Sequence, residues 1–172
     1  MSAGTRTFLL DSNILIGAKR SYYAFDLCPG FWDAIRHGHR QGRILSTKRV
    51  QKEIAVGEDD LSQWVKNELP PAFFIDDNAA DIMKEFSPMM AWVNSGDYLP
   101  EAVQEFAGHD NADGWLIAAA KARNFVLVTE EQSPSNARKR VPMPNVCDEF
   151  GVEYITTFEA LRELGYRFVL AP

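Results

Sequence analysis

Long hydrophobic runs are missing from this chain: no stretch approaches the ~18 consecutive apolar residues that a membrane-spanning helix needs. A membrane protein is therefore not expected. Cysteine is scarce as well, and Cys28 and Cys147 stand far apart with no CxxC or Cys/His spacing, which argues against a zinc site and for reduced, mostly buried thiols. The opening stretch MSAGTRTFLL lacks a cationic region followed by a long apolar run and a small-residue cleavage site. No secretory signal is read there, and the expected compartment is the cytoplasm. Neither a Gly/Ser/Pro linker, an internal repeat nor a low-complexity tract divides the 172 residues. The chain is read as one domain over 1–172, long enough to bury a single core.

An excess of basic residues is also lacking, since the formal net charge is −6. Taken alone, that charge argues against a nucleic-acid partner, yet its distribution is uneven. Residues 1–56 carry nine Lys/Arg against four Asp/Glu, a net of +5, and the remainder carries nine against twenty, a net of −11. Basic residues gather in RHGHRQGR, TKRVQK and NARKR, and local patches of this kind can hold phosphate on an acidic protein. For any single Lys or Arg among them, a solvated helix face or loop is the favoured reading.

What the sequence does have is an alternation of short apolar runs and amphipathic stretches, the pattern of a parallel sheet covered by helices on both faces. Three strands are expected at 7–10 (TFLL), 43–46 (RILS) and 125–129 (FVLVT), apolar on both faces as buried parallel strands are. Weaker strands are read at 72–75 and 152–156. Helices are expected at 29–40, 47–56, 59–68, 77–94 and 110–123, with a last one at 157–165 that has a Thr cap and ends at Gly165. The stretch 131–145 reads as a long loop.

In an open parallel sheet, ligands gather beyond the carboxyl ends of the strands. Asp11 stands there, interrupting TFLLDSNILI, either as the cap of a turn or as a working carboxylate. Glu130 and Glu131 follow the third strand and share that edge if the strands run parallel. Asp110 and Asp113 lie three apart at the start of the helix in DNADGWLIAAA, where Asp113 suits a ligating role and Asp110 a cap or supporting one. Glu53, beside Ile54 on the helix after the second strand, stands at the edge of a buried face. Gathered carboxylates repel by about 4 kcal/mol per pair at ~4 Å with an effective dielectric of about 20. A cation relieves that repulsion, and oxygen ligands without His or Cys select Mg2+ or Mn2+. The chemistry this suits best is hydrolysis of a phosphodiester.

Together FLLDSNILI, ILSTKRVQKEI, ADGWLIAAA and VLVTEE resemble the PIN-domain nucleases in order and spacing, from Thr7 to about Glu131. YYAFDLCPGFWDAI and VPMPNVC resemble a prokaryotic PIN-like branch of that family. The resemblance implies an α/β/α sandwich with a central parallel sheet and an Mg2+- or Mn2+-dependent ribonuclease, often the toxin of a toxin–antitoxin pair. It implies that Asp11, Glu53, Asp113 and Glu131 are the catalytic and metal-holding acids, with Asn13 and Thr129 supporting them. Glu130 and Asp110 stand as further metal-ligand candidates. Two features depart from the family pattern: the last acid is Glu rather than Asp, with Glu130 and Glu131 competing for the place, and a long basic loop follows it.

On this reading an RNA backbone is held by Lys48, Arg49, Arg138 and Arg140, and candidate protein partners are an antitoxin and a second copy of the chain. Two alternatives stand beside it. A haloacid-dehalogenase-type phosphatase also places an Asp after a strand, but it wants a second Asp two residues on, where this chain has Asn13. The other is a PIN-like module without catalysis, kept to bind RNA or protein. Trp32, Trp64, Trp92 and Trp115 are expected to pack in the core or an interface rather than to stack bases.

Overall fold

In a computed structural model the description covers residues 5–133 and 137–172. Residues 1–4, the start of the stretch read for a secretory signal, and residues 134–136, the middle of the expected long loop, lie outside it. The strands are β1 (Phe8–Leu10), β2 (Ile44–Thr47), β3 (Phe74–Ile75), β4 (Val126–Val128) and β5 (Tyr154–Ile155). All pair in parallel, in the order β3-β2-β1-β4-β5. β1, β2 and β4 contain no strong turn former and are almost wholly buried, which is why they read as apolar runs. β3 and β5 are two-residue edges.

The connections supply α1 (Ser12–Gly17), which runs into a π-helical turn over Ala18–Tyr22, then α2 (Pro29–Arg40), α3 (Lys48–Ala55) and α4 (Asp60–Glu68). After β3 come α5 (Ala80–Ser95), α6 (Pro100–Ala107) and α7 (Asp113–Arg123), then α8 (Met143–Phe150) between β4 and β5, and α9 (Thr157–Glu163). The chain winds one way from β1 to β3 and the other way from β4 to β5. Right-handed crossovers then place α1–α4 on one face of the sheet and α5–α8 on the other. The contacts agree, since α3 touches α1 and α4, whereas α7 packs along α5 and touches α6 and α8. This is the three-layer α/β/α sandwich expected from the sequence. No helix of the described residues is long and apolar enough to cross a membrane.

Caps set several boundaries. Thr47 accepts from the Val50 amide to start α3, and Asp59 from the Ser62 amide to start α4. At α9, Thr156 and Glu159 form a reciprocal capping box. The expected loop at 131–145 is shorter than it reads, because α8 begins at Met143 behind Pro142. Pro144 is tolerated in the first turn of α8, where the backbone amide has no helical partner to lose.

The tryptophans pack as expected. Trp32 is buried, stacks on Phe25 and donates its indole N–H to the Tyr23 carbonyl at 2.7 Å. Trp115 stacks on Phe86 with centroids 3.9 Å apart. Cys28 and Cys147 are both free, and burial pushes the Cys147 thiol up to about 12.

Gly114 lets α7 approach its neighbours closely. A Cβ there would stand 2.8 Å from Phe86 Cε2 and 3.0 Å from Phe106 Cε1, below ordinary van der Waals contact. Gly114→Ala is therefore expected to lower stability by about 1–3 kcal/mol through overpacking, although alanine is the better helix former. Urea unfolding checks this, and a stabilised variant would show that the two rings yield freely.

Candidate active site

The strand order reverses between β1 and β4, and the crevice beyond their carboxyl ends is where an open α/β sheet takes ligands. Leu10 pairs with Val128 across that seam, which places Asp11 beside Thr129. Asp11 is 1 % exposed. It occupies the N-cap position of α1 but makes no capping hydrogen bond. Its Oδ2 accepts from the Thr129 hydroxyl at 3.2 Å and its Oδ1 lies 3.3 Å from the Ser12 hydroxyl. The nearby Asn13 amide favours its charge less than burial opposes it, so capping α1 does not by itself account for a carboxylate this deeply buried.

Asp113 reaches the same crevice from the first turn of α7. The amide of Asp113 donates to the Asn111 side chain at 2.8 Å, so Asn111 ties down the helix start and the Asp113 carboxylate is left over. Glu131 follows β4. Its Oε2 accepts from the Met143 amide at 2.7 Å, its Oε1 lies 2.7 Å from Arg140, and its own amide donates to Thr129. Arg140 also stands 3.4 Å from Asp113, joining the two acids.

Two of the four principal acids, Asp11 and Asp113, are held well above the usual carboxylate range. Burial raises Asp11 from its ordinary 3.8 to about 6, reinforced by the charge of Glu53 and, more weakly, of Glu131. Burial also raises Asp113 to about 7, with Asp11, Glu131 and Glu53 all pushing the same way and Arg140 opposing them. Glu53 joins this field from the exposed side of α3.

The remaining expected positions divide. Asn13 is exposed just past Asp11, and Thr129 is the buried partner described above. Glu130 turns away from the acids: it is exposed and accepts from the Thr157 amide at 2.8 Å. Between the two competing glutamates, Glu131 is the one inside the cluster. Asp110 neither caps α7 nor enters the crevice; its carboxylate is 99 % exposed beside His109. Lys48 is exposed, 3.8 Å from Asp76, and Arg138 is exposed with its guanidinium on Asp97.

Arg49 corrects the expectation made for it. It is 5 % exposed, with Nη1 2.8 Å from Asp77 Oδ1, Nε donating to the His109 carbonyl at 3.0 Å and Nη2 to Asn78 at 3.1 Å. The guanidinium also lies 4.1 Å from the centre of the Trp115 ring. A guanidinium so enclosed braces α3 against the segments after β3 and before α7, and it is not offered to a phosphate. Arg140 likewise faces the acids rather than solvent alone. Sequence reasoning missed Asp77, Ser12 and Asn111. Asp77 stood in the IDDN that follows an expected strand, which was the available signal.

Among the described residues, no three His, Cys, Asp or Glu side chains lie at metal-ligating spacing as they stand. The donor chemistry nevertheless fits a hard divalent ion: Asp11, Asp113, Glu131 and Glu53 supply oxygens only, and the buried Asp11 and part-buried Asp113 are each raised by neighbouring acids.

These shifts carry a stability consequence. A raised carboxyl contributes stability that is complete below its unfolded value, 3.8, and lost as pH rises through about 6 for Asp11 and about 7 for Asp113. Asp59 and Asp81, whose values are lowered, titrate below that window. In EDTA the melting temperature is thus expected to fall between about pH 4 and about pH 7 and to level off above that, and Mn2+ to restore it mainly at the upper end. A flat profile would show that the cluster is relieved by other means.

Comparison with known proteins agrees with this architecture. The structure of VapBC2 from Rickettsia felis, bound to a DNA fragment from their promoter, contains a chain with the same fold. The match has a TM-score of 0.52 and 13 % identity, over 87 % of this chain and 98 % of that one. The fold is PIN-like, as the sequence resemblance implied. No curated protein matches the chain. Residues 8–168 match the family described as "Domain of unknown function (DUF4411)", and the chain belongs to that family.

Proposed function

We propose that the protein is a divalent-metal-dependent ribonuclease that hydrolyses RNA phosphodiester bonds, and the toxin of a toxin–antitoxin pair. What supports the reading is that the buried Asp11 and the part-buried Asp113, on either side of the seam between β1 and β4, are both pushed toward neutral pH by desolvation and by the charges of Glu53 and Glu131.

Asp11, Asp113, Glu131 and Glu53 would hold Mg2+ or Mn2+. When bound, such an ion polarises a phosphoryl oxygen and acidifies water. The chain's own contributions are positional. Thr129 and Ser12 orient the Asp11 carboxylate through their hydroxyls. The Met143 amide at the start of α8 fixes Glu131 from behind. Arg140, already paired with Asp113 and Glu131, is exposed enough to swing onto the phosphate that replaces them as its partner.

A second reading, the PIN-like module without catalysis, is favoured by the same Arg140 contacts, which neutralise the acids with no ion. A cleavage assay on mixed single-stranded RNAs decides between them. Cutting that EDTA stops and Mn2+ restores supports the nuclease; intact RNA together with no heat of Mn2+ binding supports the module.

A further inference from the structure

Beside the acidic cluster lies a cavity of about 250 Å3 that none of the roles above uses. Asn13, two residues beyond Asp11 in the chain, and Glu130, which precedes Glu131 and turns away from the acids, both line it. Tyr22, Tyr23 and Phe158 supply aromatic walls. Tyr22 and Phe158 are 76 % and 51 % exposed, with ring centroids 6.5 Å apart. Large aromatics held at the surface around a cavity are unusual for packing alone.

Gly17 belongs to the same lining. It has ordinary right-handed helical torsions, and a Cβ built on it would meet nothing within 4 Å. No backbone conformation demands glycine here, and glycine within a helix is destabilising relative to alanine. Its effect is to leave the cavity open at that point.

We infer that this cavity seats one nucleobase of the RNA strand whose phosphate lies at the acidic cluster, an inference that rests on the ribonuclease reading. Four features select this occupant. The volume is below the ~300–1,000 Å3 of pockets for drug-sized ligands and suits a single planar ring. Stacking on aromatic side chains is how single strands are gripped without strict sequence readout. Arg162, exposed on α9, lies 6.0 Å from the centre of the Phe158 ring and puts a cation at the rim for a flanking phosphate. One Glu130 oxygen is held by the Thr157 amide, and the other, with the Asn13 amide, offers hydrogen bonds to a base edge.

The test uses a short single-stranded RNA with 2-aminopurine placed at successive positions, in EDTA so that no cutting intervenes. One position is expected to be quenched on binding. Gly17→Leu, which fills the cavity, and Tyr22→Ala should each weaken binding roughly tenfold and remove the quench, whereas Gly17→Ala should leave both unchanged. Phe158→Ala serves in place of Gly17→Leu should the latter melt early. The inference is overturned if no position is quenched, if the quench survives in the filled or truncated variants, or if Tyr22 and Phe158 are instead buried in a dimer. Quenching without any Asp11-dependent cutting would sink the catalytic reading alone; Asp11-dependent cutting without quenching would sink the cavity alone.

Discussion

Asp11→Asn is expected to abolish Mn2+-dependent RNA cleavage and at the same time to stabilise the protein in EDTA. The two effects have one origin. Asp11 is a buried carboxylate that feels the charges of Glu53 and Glu131, so its charge is unfavourable to the fold unless a cation offsets it. On the proposed function, losing Asp11 removes several kcal/mol of transition-state stabilisation, about a thousandfold in rate or more. Removing the charge relieves about 1–3 kcal/mol near neutral pH, from a shift of roughly two units at about 1.4 kcal/mol each. For a chain of this size that is an increase of several degrees in Tm. Asparagine keeps the size of the side chain and can still accept from Thr129, so no cavity complicates the reading. Were Asp11 instead a cap for α1, the variant would melt earlier and still cut RNA. Cleavage rates and thermal melts on the same preparation separate the two outcomes.

The largest loss of stability is expected from Asp77→Ala. Asp77 is 1 % exposed and lies against the enclosed Arg49. Removing one partner of a buried ion pair leaves the other charge uncompensated and costs about 3–5 kcal/mol. That is a large part of the ~5–15 kcal/mol by which a domain is usually stable. The Asp77 carboxylate also accepts from the Arg49 amide at 3.1 Å, so the first turn of α3, which carries Glu53, loosens with it. Equilibrium unfolding in urea measures the loss. The double variant Asp77→Leu with Arg49→Met should recover most of it, because apolar residues of similar volume can replace a buried pair. If Arg49→Ala instead left stability unchanged and weakened RNA binding, Arg49 would be the phosphate contact that its neighbours in TKRVQK suggested.

Much of the architecture was legible in the primary chain. β1, β2 and β4 sit on the expected apolar runs within a residue or two, and α2 spans Pro29–Arg40 as its periodicity indicated. The signals were local there: buried strands must be continuously apolar, and helix ends are written in caps and prolines. Where the local signal conflicted with the outcome, the tertiary environment supplied what was missing. VPMPN reads as loop, yet α8 starts within it, because Glu131 arrives from β4 to accept the Met143 amide. α1 and α6 went unassigned because NILI continues an apolar run and PEAVQEFA is short.

The candidate site divides in the same way. Asp11, Asp113, Glu53 and Glu131 could be named because each stands at a fixed offset from a strand or helix that its neighbours identify. Their meeting could not be read along the chain, since it depends on β1 and β4 lying side by side in parallel. Arg49 and Arg140 show the limit most plainly. Both look like solvent-facing cations in sequence, and only folding turned one onto Asp77 and the other onto Asp113 and Glu131. By itself the sequence determined the layers and nominated the acids, because hydrophobic period and strand-end position are properties of neighbouring residues. Only the tertiary structure decided which glutamate enters the cluster and which arginine is spent inside, because a charge takes whatever partner the fold brings within a few ångströms.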